Sequence, residues 1–226
     1  MKTATQTAIE VGSTTYRKSV KAPNTTVLKD GRNNKKLGSM VTKTLWRGKR
    51  MFSLTLEERA TCPTSCHHWK DCYGNNMPFA HRFAHGTELM NAIDNQLSTL
   101  MDKYPQGIVV RLHVLGDFWN VDYVEFWDSM LSKYPMLAIY GYTAHYLTPD
   151  IKKAIDYVNT SWRCYIRYSH NADYNPLNDN VRFAATEDFK GDTFDCPEQL
   201  GRVDSCAKCG ACFNERVTKT VRFLSH

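Results

Sequence analysis

No apolar run in this 226-residue chain is long enough to span a bilayer; the longest, such as Ile108-Val109-Val110, cover only a few residues. Met1 to Glu10 holds no apolar signal core. Internal repeats and low-complexity tracts are missing too. These absences predict a protein that has no membrane span, is not exported and works in the cytoplasm. What remains is ordinary for a globular chain, with 42% hydrophobic and 23% charged residues. That length buries a core without disulfides. Eight cysteines are the exception. Secreted disulfide scaffolds are usually shorter than about 80–100 residues, so these thiols are expected to be reduced and to serve another purpose.

Acidic side chains are scarce at the N-terminus. Residues 1–50 carry twelve Lys and Arg against Glu10 and Asp30, which makes this segment +10 within a chain of net charge +6. The remainder is therefore −4. Residues 1–39 are expected to form a basic arm, solvated and partly disordered, ahead of a single α/β domain at 40–226. The sharper reading of residues 1–50 is a patch for nucleic acid, a host protein or a phosphorylated ligand.

Hydrophobic periodicity organises the rest. Met40–Trp46 and Met51–Leu56, joined through Arg47-Gly48-Lys49-Arg50, predict an N-terminal β-hairpin. Phe79–Lys103 predicts a helix interrupted near Gly86, with Leu89, Ile93, Leu97 and Leu100 on one face. Ile108–Val114 predicts a strand, Val121–Tyr134 a helix and Leu137–Tyr142 a strand. A further helix starts at Pro149, where proline suits the first turn. Trp162–Tyr168, Val181–Ala185 and Thr218–Leu224 predict three more strands. Such alternation implies βαβ crossovers and a parallel sheet. Ligands then belong at the carboxyl ends of the strands. Those ends carry His113 and Gly116-Asp117, Tyr142-Thr143, Tyr168-Ser169-His170 and Thr186-Glu187.

The cysteines fall into sets. Cys206-x2-Cys209-x2-Cys212, preceded by Cys196-Pro197, places four thiols within 17 residues of the Cys-rich C-terminal loop region 190–226. Two intervening residues let successive thiolates turn inward around one centre, and Gly210 eases the backbone. Bacterial ferredoxins use this spacing around 4Fe–4S clusters, although there the remote Cys-Pro comes last. Structural zinc and unligated thiols are the alternatives. Cys62-x3-Cys66-x5-Cys72 supplies three more. Three thiolates can hold three irons of a cubane and leave the fourth open to a small molecule. The alternatives are zinc completed by His67 or His68, or no metal. Cys164 sits in an apolar strand and reads as a core residue.

The chain resembles the bacteriophage gene product 88 family. The resemblance is carried by Thr61-Cys62-Pro63 through Cys72-Tyr73-Gly74, Arg111-Leu-His113-Val-Leu-Gly116-Asp117-Phe118, Tyr140-Gly-Tyr142-Thr143 and the C-terminal cysteines through Val221-Arg-Phe223-Leu-Ser-His226. It covers roughly residues 40–226 and implies a phage-encoded protein of the host cytoplasm. A wider resemblance is to radical SAM enzymes, through Cys62-x3-Cys66 and Val114-Leu115-Gly116-Asp117. The gap Cys66-x5-Cys72 is three residues longer than the usual spacing, and Tyr73 follows rather than precedes the last Cys. This resemblance implies a partial (β/α) barrel-like sheet and a cluster whose open iron chelates S-adenosylmethionine. It further implies an S-adenosylmethionine-derived radical and an auxiliary second cluster. Asp117 and the Gly116 backbone would meet the amino group, with His113, Tyr142 and Thr143 lining the pocket. Other expectations are a non-catalytic iron–sulfur or zinc protein that binds nucleic acid or a host protein through residues 1–50, and a structural phage component.

Overall fold

The computed structural model describes residues 2–24, 26–169, 182–186, 189 and 191–224. His170, Val181 and Glu187 lie outside the described residues. The N-terminal half holds helix α1 (Ala4–Val11), strands β1 (Val20–Lys21), β2 (Lys29–Asp30), β3 (Arg50–Ser53) and β4 (Arg82–Phe83), and helix α2 (Thr87–Lys103). The centre alternates β5 (Ile108–Leu112), α3 (Val121–Lys133), β6 (Leu137–Thr143), α4 (Pro149–Val158) and β7 (Cys164–Ser169). Then come β8 (Phe183–Ala185), β9 (Thr193–Asp195), the one-turn α5 (Cys206–Cys209) and β10 (Thr220–Arg222).

The protein is mixed α/β. Its main sheet has eight strands in the order β2-β3-β5-β6-β7-β8-β10-β9, and only the β2–β3 pair is antiparallel. β1 and β4 pair in parallel as a separate two-stranded sheet. Among the described residues no helix is long and apolar enough to cross a membrane.

Strand alternation sorts the core into two layers. Phe52, Val110, Leu112, Ile139 and Ile166 pack with Leu89, Ile93, Leu97, Trp127 and Ile155 from α2, α3 and α4. Their neighbours Met51, Val109, Ala138, Tyr140 and Tyr165 face the other way, onto Leu37, Trp46, Ala207 and Phe213. The helices start where capping chemistry directs. Asn120 caps α3 by accepting the Tyr123 N–H, and Pro149 opens α4, where no N–H is needed. Cys164 is buried in the helix-side core, its Sγ donating to Asn159 Oδ1 at 3.3 Å.

Three expectations change. The N-terminal hairpin reduces to one antiparallel bridge, Met40 to Arg50, and the strand that pairs with β3 is β2. The apolar residues of 40–46 serve packing instead, since Trp46 is fully buried and stacks on Phe213 with centroids 5.0 Å apart. The helix expected from Phe79 begins at Thr87, with β4 occupying Arg82–Phe83. Gly86 is the break, at φ 129°, a conformation open to glycine. The described part of residues 1–39 packs into the domain: Val27, Leu28 and Leu37 are wholly buried, and β2 forms a sheet edge.

Candidate metal centre

The Cys62–Cys72 loop leaves the carboxyl end of β3 and is stitched to the end of β5. The Val114 amide donates to Leu54 O at 2.8 Å and the Leu56 amide to Leu115 O at 2.9 Å. Thr61 Oγ1 donates to Glu57 O and accepts from the Asp117 amide. Gly116, at φ +82°, passes so close that a Cβ would lie 2.6 Å from Leu56 Cβ and from Thr61 Oγ1. Behind the loop lies a buried ionic network. Arg82 pairs with Glu58 at 2.6 and 3.1 Å, both side chains at most 1% exposed. Arg82 also donates to Ser19 Oγ and to the carbonyls of Gly74, Met77 and Ala80. Thr14 Oγ1 donates to Glu58, Arg17 pairs with Glu57, and Arg59 donates to Ser13 O, Trp69 O and Asn75 Oδ1. Residues 13–19 thus hold the loop from beneath.

The thiols of Cys62, Cys66 and Cys72 interact electrostatically with one another. Burial raises the pKa of all three, that of Cys66 to about 11. The second set is assembled by packing. Ser205 caps α5, and Gly210 ends it in the left-handed region at φ 74°. Residues 36–42 grip α5 through Cys206 N to Lys36 O, Ala207 N to Leu37 O and Thr42 N to Ala207 O, at 2.7–3.1 Å. Phe213 sits under Trp46 and 4.9 Å from Tyr140. Arg167 donates to the carbonyls of Cys212, Phe183, Val217 and Lys219. Cys196, fixed by its amide to Arg222 O, interacts with Cys206, Cys209 and Cys212. Burial again raises the three partner thiols, Cys206 to about 12. All eight cysteines are free.

The strand-end residues divide among three places. Asp117 and Thr143 meet: Asp117 Oδ1 accepts the Phe118 amide, Oδ2 accepts the Ala144 amide at 2.7 Å, and the Thr143 hydroxyl reaches the carboxylate. Asp117 also feels Cys62 and Cys66, and burial raises its pKa. Gly116 brings this corner against the cysteine loop. Tyr142 belongs to the second set, its hydroxyl beside Cys212 and its ring against Phe223. His113 turns towards α3, with Nε2 3.1 Å from Tyr123 Oη and its ring against Phe118. Its Nδ1 is buried without a partner, as is Nε2 of His145, whose Nδ1 meets Thr148 Oγ1.

Two features escaped the sequence reading. The Glu57-Glu58-Arg59 and Arg82 network is one. Arg111 is the other, and its signal is an arginine inside the apolar run Ile-Val-Val-Arg-Leu. Its electrostatic neighbours are Tyr140, Tyr73, Tyr142 and Cys206. Five of the twelve basic residues in 1–50 are in ion pairs: Lys2, Arg17, Arg32, Lys36 and Arg50.

Among the described residues, no three His, Cys, Asp or Glu side chains converge on the position of a single ion. A cubane makes a different demand, because each iron takes its own thiolate and the ligands surround a volume. The free thiols form a set of three and a set of four; all of these cysteines are half-buried except Cys196, which is buried. Fold and site together define an α/β protein with two cysteine-bearing loops. No family model, curated protein or solved structure matches the chain.

Proposed function

We propose that the chain is an iron–sulfur protein of the bacteriophage gene product 88 type, acting in the host cytoplasm with radical-SAM-like chemistry. Cys62, Cys66 and Cys72 would hold one 4Fe–4S cluster, and Cys196, Cys206, Cys209 and Cys212 the other. What supports this reading is the spacing of seven free cysteines as a set of three and a set of four, with electrostatic interactions within each set. Helices α2, α3 and α4 share one core layer, and the C-terminal cysteines pack on the other. That one-sided winding supports a partial (β/α) barrel-like sheet whose inner face holds the second set.

When bound, such clusters supply one-electron transfer, and a cubane with three protein ligands keeps one iron open to S-adenosylmethionine. The chain's own part is positioning. The Asp117 carboxylate is fixed by two backbone amides and the Thr143 hydroxyl, and its remaining lone pairs suit a ligand amine. Anaerobic purification with iron, sulfide and zinc counts tests the reading: about eight irons are expected. Cys66→Ser and Cys209→Ser should each remove about half of them, because each breaks one set. Zinc alone, without charge-transfer absorption, overturns the proposal. An unchanged electron-spin signal on adding S-adenosylmethionine to the reduced protein, with no deoxyadenosine formed, removes the enzyme and leaves a cluster protein.

A further inference from the structure

The wholly buried arginines are saturated with partners, whereas the half-buried Arg111 is not. Arg82 donates to Glu58, Ser19 and three carbonyls, and Arg167 to four carbonyls. Arg111 projects from β5 on the same sheet face as Arg167. Its Nε is buried with no hydrogen-bond partner, and no carboxylate among the described residues pairs with its guanidinium. Its nearest company is aromatic: the guanidinium carbon lies 5.5 Å from the Tyr142 ring centre. Directly beside it in register on β6 stands Tyr140, whose buried hydroxyl meets the Cys206 thiol, a weak acceptor. A buried guanidinium N–H without an acceptor carries a desolvation cost that the protein itself does not offset.

We propose that Arg111 and Tyr140 form a binding site for a small oxyanion, the carboxylate or phosphate group of a ligand that enters between the two cysteine sets. A guanidinium fork matches both groups, with two parallel N–H···O bonds, and the Tyr140 hydroxyl adds a third donor. Tyr73, 45% exposed and within electrostatic reach of Arg111, places the open side of the site next to Cys72. The site deepens the function proposed above by naming the chemical class of the ligand. Both donors also face Cys206, so anion binding is measured with the iron content recorded and the two are read separately.

The test uses the full chain purified anaerobically, with its iron content recorded, titrated by calorimetry with inorganic phosphate and, separately, with N-acetylglycine as a carboxylate. One of the two probes is expected to bind, and its identity tells phosphate from carboxylate. Arg111→Met should weaken that probe at least tenfold and Tyr140→Phe less so. Arg111→Met should also raise the probe-free Tm by about 2–4 °C, because an unpaired buried cation gives way to an apolar side chain of similar length. A chain that binds neither probe, equal affinity in Arg111→Met, or a lowered probe-free Tm would each overturn the proposal. Full probe binding in a preparation without iron would sink the cluster reading while leaving this site standing.

Discussion

The loop carrying Cys62, Cys66 and Cys72 and the loop carrying Cys206, Cys209 and Cys212 are fixed by different physics. The first rests on charge: Glu58 and Arg82 are both fully buried, and their network reaches residues 13–19. The second rests on packed rings, with Trp46 and Tyr140 on Phe213, and Ala207 of α5 buried in the same cluster. A buried ion pair fixes geometry sharply but fails when one partner is removed, because the other charge is stranded. Packed rings fail by degrees, in proportion to the volume lost.

Breaking the ionic side should give the largest effect. Arg82→Met leaves the Glu58 carboxylate buried without its cation, and unfolding free energy measured in urea is expected to fall by about 3–5 kcal/mol. Glu58→Leu combined with Arg82→Met should recover most of that loss, since both charges are gone. A double variant no more stable than the single would mean that the network's bonds to Ser19, Gly74 and Thr14 matter more than the charge pair.

On the packed side, Phe213→Ala should cost about 3 kcal/mol by transfer and cavity terms, and Phe213→Leu clearly less. No double variant should rescue it, which separates the two kinds of support. Phe213 and Arg82 share no partner, so Arg82→Met with Phe213→Ala should be additive within about 0.5 kcal/mol. A larger departure would show that the two loops form one cooperative unit through Arg111.

Acid probes the helix-side core between the loops. Burial holds the pKa of His113 at about 3 when folded, against 6.5 for the free group. Between those values the unfolded chain binds the additional proton, so stability rises with pH and is lost as pH falls below about 6.5. The contribution of His113 should fall by about 2 kcal/mol from pH 7 to about pH 5. Urea titrations of the protein and of His113→Phe at both pH values check this. An equal slope in the variant would assign the acid sensitivity to other groups.

What the sequence made legible follows from the range of the interactions. The strands and helices from Ile108 to Ser169 carry their periods locally, and Asn120 and Pro149 mark their helix starts, so the parallel sheet could be read directly. The grouping of cysteines by spacing was equally local. The supports were not: Thr14 and Glu58 are 44 residues apart, and Arg82 and Ser19 are 63 apart. No period encodes such pairings, and the basic N-terminus looked like a detached arm because the contacts that tie it to the body, such as Arg17 to Glu57 and Lys36 to Glu198, reach far along the chain. Trp46 misled for the reverse reason: an apolar stretch that looks like a strand serves as a lid for Phe213. His113 stood at a strand end and therefore looked like a ligand contact, yet its side chain is held by Tyr123 on the helix side.

The smallest effects come from single hydroxyls that tie each loop to the body. Thr61 Oγ1 both donates to Glu57 O and accepts from the Asp117 amide, so Thr61→Val strands two backbone groups in a buried corner. It should cost about 1–2 kcal/mol. Ser205 Oγ accepts only the Lys208 amide, at 3.4 Å, and α5 is a single turn. Ser205→Ala should therefore cost about 0.5 kcal/mol, the low end for a helix cap. If the first loop depends on polar geometry and the second on rings, Thr61→Val should lower iron content measurably while Ser205→Ala leaves it unchanged. Equal losses from the two variants would erase the distinction between the loops.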